Sequence, residues 1–220
     1  MHSNDADAND VRRRAKDYWC SHHNLSGRVT REGHEHRWEL AQYILTEFNP
    51  TSVLEFGCGS GRNLAVLREL GDVGLYLAGI DGNPVSVESG QSWHPTLTLT
   101  HGDENTLFLR PDAEYDVAFT VSVLDHIPDP YWREVYDDLK RVARKAVVLL
   151  EPVRWVYPDF SARDTVEHDF TTDTPTTDYT WAHDYLGHDP ALKVVRRLPL
   201  ALGPTWQAFG DCYHLMEARL

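Results

Sequence analysis

The chain reads as an α/β fold, a parallel sheet with helices on both faces that closes on an antiparallel pair of strands. Three observations point there. Between residues 52 and 151, short aliphatic and β-branched runs alternate with stretches at helical spacing. Each strand-like run in that region reaches the next through a helix or a long connection, the crossover geometry of parallel strands. The last two runs, 192–200 and 212–220, are joined by a connection containing Gly203, Pro204 and Gly210, which suits antiparallel neighbours.

Taken in order, the first nine residues are rich in Asn, Asp and Ser and read as a disordered start. Helices are expected over 11–20 and 33–48, the second with Trp38, Ala41, Ile44 and Leu45 on one face. A strand over 52–56 runs into glycines, and a helix over 63–70 follows with Leu64, Leu67 and Leu70, ended by Gly71. The second strand, 75–80, stops at Asp81-Gly82-Asn83-Pro84. A short helix over 85–92, strands over 96–101 and 116–121, a helix over 131–142 and a strand over 145–151 complete the alternating part. The rhythm then breaks over residues 152–190, where the segment around Thr171–Asp178 is too polar for a buried element. This gives a helical cap over 1–32 and one domain over 33–220 that carries 152–190 as an inserted lid.

Composition narrows the function. With 220 residues, 41% of them hydrophobic, the chain suits a single domain with an ample core. Its 34 acidic against 21 basic residues leave a net charge of −13, which argues against nucleic acid or an anionic membrane as partner. The three cysteines, Cys20, Cys58 and Cys212, are widely spaced and form no CxxC, as expected of a cytoplasmic protein. No apolar run approaches membrane-spanning length, and Lys16-Asp17-Tyr18-Trp19 after the early arginines does not continue as a signal peptide.

The chemistry concentrates after the first strand, in Val53-Leu-Glu-Phe-Gly-Cys-Gly-Ser-Gly61. Gly57, Gly59 and Gly61 allow a tight turn and a close ligand approach. The helix that follows offers free N–H groups. Glu55, just ahead of the loop, would repel phosphate but suits a ligand with an ammonium group. Asp81, at the end of the second strand, is placed to accept both hydroxyls of a ribose. Asp103, past the third strand, suits an adenine amino group, with a helix N-cap as the alternative.

Together these residues resemble the class I S-adenosylmethionine-dependent methyltransferases of the small-molecule type. The segment Tyr115–Pro128 is similar to that family's fourth-strand stretch, and the helix from 131 and the strand ending Leu150-Glu151-Pro152 fall in the family's order. The resemblance implies a Rossmann-like, seven-stranded methyltransferase sheet, parallel except for one reversed final strand. It implies S-adenosyl-L-methionine as cofactor, with Glu55 toward the methionine amino group and Gly57, Cys58, Gly59 and Gly61 along the methionine and ribose. By the same resemblance Asp81 and Gly82 hold the ribose, Asp103 and Glu104 the adenine, and Thr120 lies near the sulfonium.

Methyl transfer needs a base only when the acceptor carries a proton to be lost. The groups expected after the strand ends are Glu151, His126, Asp125 and His183, with Glu151 and His126 the leading proton acceptors. The 152–190 stretch holds eight acids against Arg154 and Arg163, or six of the thirteen net negative charges, interleaved with seven aromatic residues. Carboxylates beside aromatic faces favour a cation, so a small amine or guanidinium acceptor is expected, with Tyr18, Trp19, Trp181, Asp184 and Tyr185 around it. A quinone, phenol or other neutral metabolite, methylated on oxygen or carbon, is the rival. A non-catalytic binding module is the alternative outside enzymes. The histidines lack compact ligand spacing, so no metal is expected. A homodimer is compatible with this organisation.

Overall fold

Alternate residues of the central strands enter opposite cores, as the two-residue period of a strand requires. The computed structural model describes residues 4–21, 31, 32, 34–153, 181, 183–199 and 212–220. Its strands are β1 (Ser52–Phe56), β2 (Tyr76–Asp81), β3 (Thr98–His101), β4 (Tyr115–Val121), β5 (Ala143–Val153), β6 (Lys193–Pro199) and β7 (Cys212–Arg219). Its helices are α1 (Asn4–Ser21), α2 (Glu35–Phe48), α3 (Arg62–Leu70), α4 (Pro84–Trp93), α5 (Glu104–Phe108), α6 (Tyr131–Val142) and α7 (Tyr185–His188), with a 3-10 turn at Leu124–His126.

The seven strands form one sheet in the order β3-β2-β1-β4-β5-β7-β6. β1 through β5 pair in parallel, while β7 runs antiparallel to both β5 and β6, so β7 is the reversed strand the sequence leads one to expect. Val53, Leu77, Val117, Phe119, Val148 and Leu150 face one core, which α2 and α3 cover through Leu40, Ile44, Leu64 and Leu67. Leu54, Ala78, Ala118, Val147 and Leu149 face the other, covered by α6 through Trp132, Val135, Tyr136, Leu139 and Val142. That α6 spacing places all five on one stripe. Each such buried side chain contributes about 1.5–3 kcal/mol.

The strand order turns outward in both directions from β1 and β4, and that switch point leaves a crevice at their carboxyl ends. Three buried polar residues of the sheet stand there: Glu55, Thr120 and Glu151, toward the carboxyl ends of β1, β4 and β5.

The expected elements are present with ends shifted by a few residues, and three features differ. α1 begins at Asn4, inside the segment read as disordered, since residues 4–10 contain no glycine or proline to stop a helix that continues into a docked segment. β5 extends through Val153 because β7 pairs with it along that length. The short helices α5 and α7 and the 3-10 turn are too brief to show a period. The polar middle of the proposed lid, 154–180, lies outside the described residues. No helix among the described residues is long and apolar enough to cross a membrane.

Candidate active site

A cavity of about 290 Å³ opens at the carboxyl ends of β1, β2 and β4. Its floor is the glycine loop between β1 and α3. Gly57, Gly59 and Gly61 have φ values of +74°, +54° and +77°, a region that side-chain-bearing residues avoid. A Cβ at Gly57 would overlap both γ-methyls of Val123, whereas at Gly59 it would meet nothing within 4 Å. The loop is therefore packed on one side and open to the cavity on the other.

Asp81 ties this loop to the end of β2. Its Oδ2 accepts from the Gly59 N–H at 2.6 Å and its Oδ1 from the Asn83 N–H at 2.8 Å. Burial raises its pKa and these backbone bonds oppose the rise without cancelling it. Asn83 in turn caps α4 by accepting from Val85 and Ser86. Asp103 caps α5, its Oδ1 accepting from the Asn105 N–H at 3.0 Å, and it also lines the cavity. Gly82 and Glu104 line the same end.

Helix α1 forms the opposite wall. Arg12, Ala15, Lys16, Trp19 and Cys20 all line the cavity, a spacing that places them on a single helical face. Lys16 pairs with Asp103 and Arg12 with Glu104, and the Arg12 guanidinium lies 3.9 Å from the centre of the Tyr131 ring. Burial pushes the Asp103 pKa up, but Lys16 and the backbone amides of Asn105 and Thr106 together outweigh it and leave the carboxyl below its ordinary value. The Trp19 indole sits 4.0 Å from the His126 imidazole, centroid to centroid. Sequence reading named Trp19 but missed Arg12, Ala15, Lys16 and Cys20, although their stripe was there to be found. Tyr18 does not line the cavity; it packs edge-on against Trp19 at 5.0 Å.

Other expected cofactor residues stand behind this wall. Glu55 is fully buried and does not line the cavity; its Oε1 accepts from Asn63 Nδ2 at 2.5 Å, and Arg37 donates to that same asparagine. Burial pushes the Glu55 carboxyl up to about 8. Its Oε2 has no partner among the described residues. Cys58 packs against Gly79 with its thiol pushed up by burial, and Gly61 packs against Leu97 and Leu99. Thr120 is buried and donates to Glu151 at 2.6 Å.

Of the expected catalytic groups, only His126 lines the cavity. Glu151 is fully buried behind the β4 loop and accepts from the Val123 N–H at 3.0 Å. Burial, and then the hydrogen-bonded Asp125 carboxyl, push Glu151 up to about 8. Asp125 is 3% exposed. His183 stacks on Trp132 at 4.8 Å, and its Nε2 lies 3.0 Å and 2.9 Å from the carbonyl oxygens of Leu124 and Ile127. Burial pulls its pKa down to about 4, so the neutral ring presents an N–H to these carbonyls. The acceptor-side residues are also placed elsewhere. The Trp181 N–H donates to the Asp125 carbonyl at 2.6 Å, Asp184 caps α7 through Gly187, and Tyr185 is buried against Trp132. Among the described residues no group of three potential ligands is placed to hold a metal ion.

The sheet order and the glycine loop are those of the class I S-adenosylmethionine-dependent methyltransferase fold. Residues 53–146 match the family model described as a methyltransferase domain. A curated relative, a ubiquinone biosynthesis O-methyltransferase of Paraburkholderia phymatum, is 29% identical over 110 residues, which are 48% of this chain and 42% of that protein. The chain thus matches less than half the length of that relative. Among solved structures, magnesium protoporphyrin IX methyltransferase from Synechocystis with bound S-adenosylmethionine superposes with a TM-score of 0.63 at 17% identity, covering 96% of this chain and 98% of that one. The cyclase SpnF superposes with a TM-score of 0.61 at 13% identity over 96% of this chain and 92% of its own. The shared architecture therefore hosts more than one chemistry.

Proposed function

We propose that this chain binds S-adenosylmethionine in the cavity above the glycine loop and transfers its methyl group to a small acceptor. The observation that carries the reading is the junction of Asp81 with the Gly59 amide at the cavity floor, with open space where a Gly59 side chain would stand. The residues fit the cofactor: Gly57 and Gly59 give backbone access, Asp81 and Gly82 suit the ribose, and Asp103 with Glu104 lies at the adenine end. The buried Glu55 Oε2, without a partner among the described residues, keeps acceptor capacity behind the loop for an ammonium group reached through a water or the backbone. When bound, the cofactor supplies a methyl group already activated by positive sulfur. The protein's part is alignment and exclusion of water.

For the acceptor, the described wall favours a flat neutral ring bearing a hydroxyl, methylated on oxygen. Trp19, His126, Ile127, Pro128 and Tyr131 make that wall aromatic and apolar. The carboxylates lining the cavity are already engaged: Asp81 by backbone amides, Asp103 by Lys16 and Glu104 by Arg12. His126 is the single imidazole among the described lining residues and is the proton acceptor of this reading. The O-methyltransferase relative points the same way. A cationic acceptor rests on the acids and aromatics of 152–190, of which Trp181, Asp184 and Tyr185 do not line the cavity and 154–180 lie outside the described residues. Incubation with labelled cofactor and matched panels of phenols, quinols, amines and guanidines decides the class. Transfer to phenolic oxygen is expected, and transfer confined to amines or guanidines would overturn the acceptor assignment.

A further inference from the structure

Three residues expected to act on the acceptor, Glu151, Trp181 and His183, converge instead on one stretch of backbone. The loop after β4 lines the cavity with Ser122, Val123, His126 and Ile127. On its far side, Glu151 accepts from the Val123 N–H with both oxygens, at 3.0 Å and 3.3 Å. The Trp181 N–H donates to the Asp125 carbonyl, and the His183 Nε2 sits between the carbonyls of Leu124 and Ile127. Ser122 begins the loop at φ +50°, a conformation that a residue with a side chain holds only when its surroundings enforce it. The loop's position matters to the cofactor floor, because the Val123 side chain fills the space beside Gly57.

We propose that Glu151 and His183 are positioning residues: they hold the 122–127 backbone from behind and thereby fix Val123 against Gly57 and His126 against the cavity. The proposal rests on the donor-binding reading above and goes beyond it, by giving Glu151 a role that involves no proton transfer with the acceptor. The chemistry is specific. The Glu151 carboxyl accepts from Thr120 Oγ1 and from the Val123 amide. A glutamine can satisfy both groups, its oxygen accepting from the amide and its nitrogen donating to the threonine oxygen. Alanine leaves the part-buried Val123 N–H without the Glu151 acceptor.

The test compares Glu151→Ala, Glu151→Gln and His183→Phe with wild type in the full chain, by calorimetric titration with S-adenosylhomocysteine and amide hydrogen exchange at Val123. Thermal melts establish that each variant is folded at the working temperature. Glu151→Ala is expected to bind at least tenfold more weakly and to exchange the Val123 amide at least tenfold faster. Glu151→Gln should remain within threefold of wild type in both. His183→Phe keeps a ring on Trp132 but loses the N–H, and should weaken binding at least threefold with Glu151 intact. The proposal is overturned if a folded Glu151→Ala matches wild type, or if Glu151→Gln is as impaired as alanine. Should alanine not fold, normal binding by His183→Phe also overturns it. A wild-type chain that ignores S-adenosylhomocysteine removes the donor reading alone, since the exchange comparison still decides whether Glu151 holds the loop.

Discussion

The Trp19 indole rests on the His126 imidazole with ring centres 4.0 Å apart and planes tilted by 39°. The contact joins α1, which precedes the segment matching the methyltransferase family, to the loop after β4 inside it. One aromatic pair thus links the outer wall of the cavity to its proposed proton acceptor. Such pairs contribute about 0.5–1.5 kcal/mol beyond the area they bury. Trp19→Ala should therefore weaken S-adenosylhomocysteine binding about two- to tenfold in a calorimetric titration. Trp19→Phe should recover most of the loss; affinity unchanged in Trp19→Ala would show that α1 does not wall the occupied cavity.

The ion pairs at the other end of α1 give it a salt dependence. Lys16 and Arg12 are 40% and 29% exposed in their side chains, so each pair is worth about 0.2–1 kcal/mol and is screened by salt. Raising sodium chloride from low to about molar concentration should weaken cofactor-product binding about two- to fivefold in wild type. Lys16→Ala combined with Arg12→Ala should start weaker and show a flatter salt response. Equal slopes in the two proteins would remove the pairs from the account of binding.

Away from the cavity, Asp116 anchors the amino end of β4. Its side chain is 6% exposed and accepts from the Thr51 amide at 2.7 Å, the Thr51 hydroxyl at 2.9 Å and Arg144 Nε at 3.0 Å. Burial pushes its pKa up, but these hydrogen bonds outweigh burial and hold the carboxyl well below its ordinary value. A depressed folded-state pKa means that the stabilisation is present above the unfolded value near 4 and is lost as pH falls below it. Asp116→Asn should cost about 2–4 kcal/mol at neutral pH, read by denaturant unfolding. The difference from wild type should shrink as the pH is lowered below about 4. A difference independent of pH would assign the loss to packing alone.

What could be read from the sequence divides along a physical line. The glycine loop was legible because positive φ at Gly57, Gly59 and Gly61 is a local demand that only certain residues meet cheaply. Asp81 was legible because a strand end and a following turn fix its place within a few residues. Glu151, His183 and Trp181 were visible as residue types but not as a group. They meet at the Val123–Ile127 backbone only after β5 and the segment before α7 are brought together, and no local pattern encodes that meeting. The α1 stripe lies between these cases. Its spacing was present in the sequence, but the helix is polar enough that its inner face shows only when Asp103, Glu104 and His126 stand opposite.

A donor site in the cavity above the glycine loop is the premise of the proposed function. Titrating wild type and Asp81→Asn with S-adenosylhomocysteine in a calorimeter tests this without knowledge of the acceptor. The expected result is saturable one-to-one binding to wild type and binding at least tenfold weaker in the variant, since the amide loses the negative charge that would hold the ribose hydroxyls and the Gly59 amide. No binding by the folded wild-type chain, or equal affinity in both proteins, would contradict it.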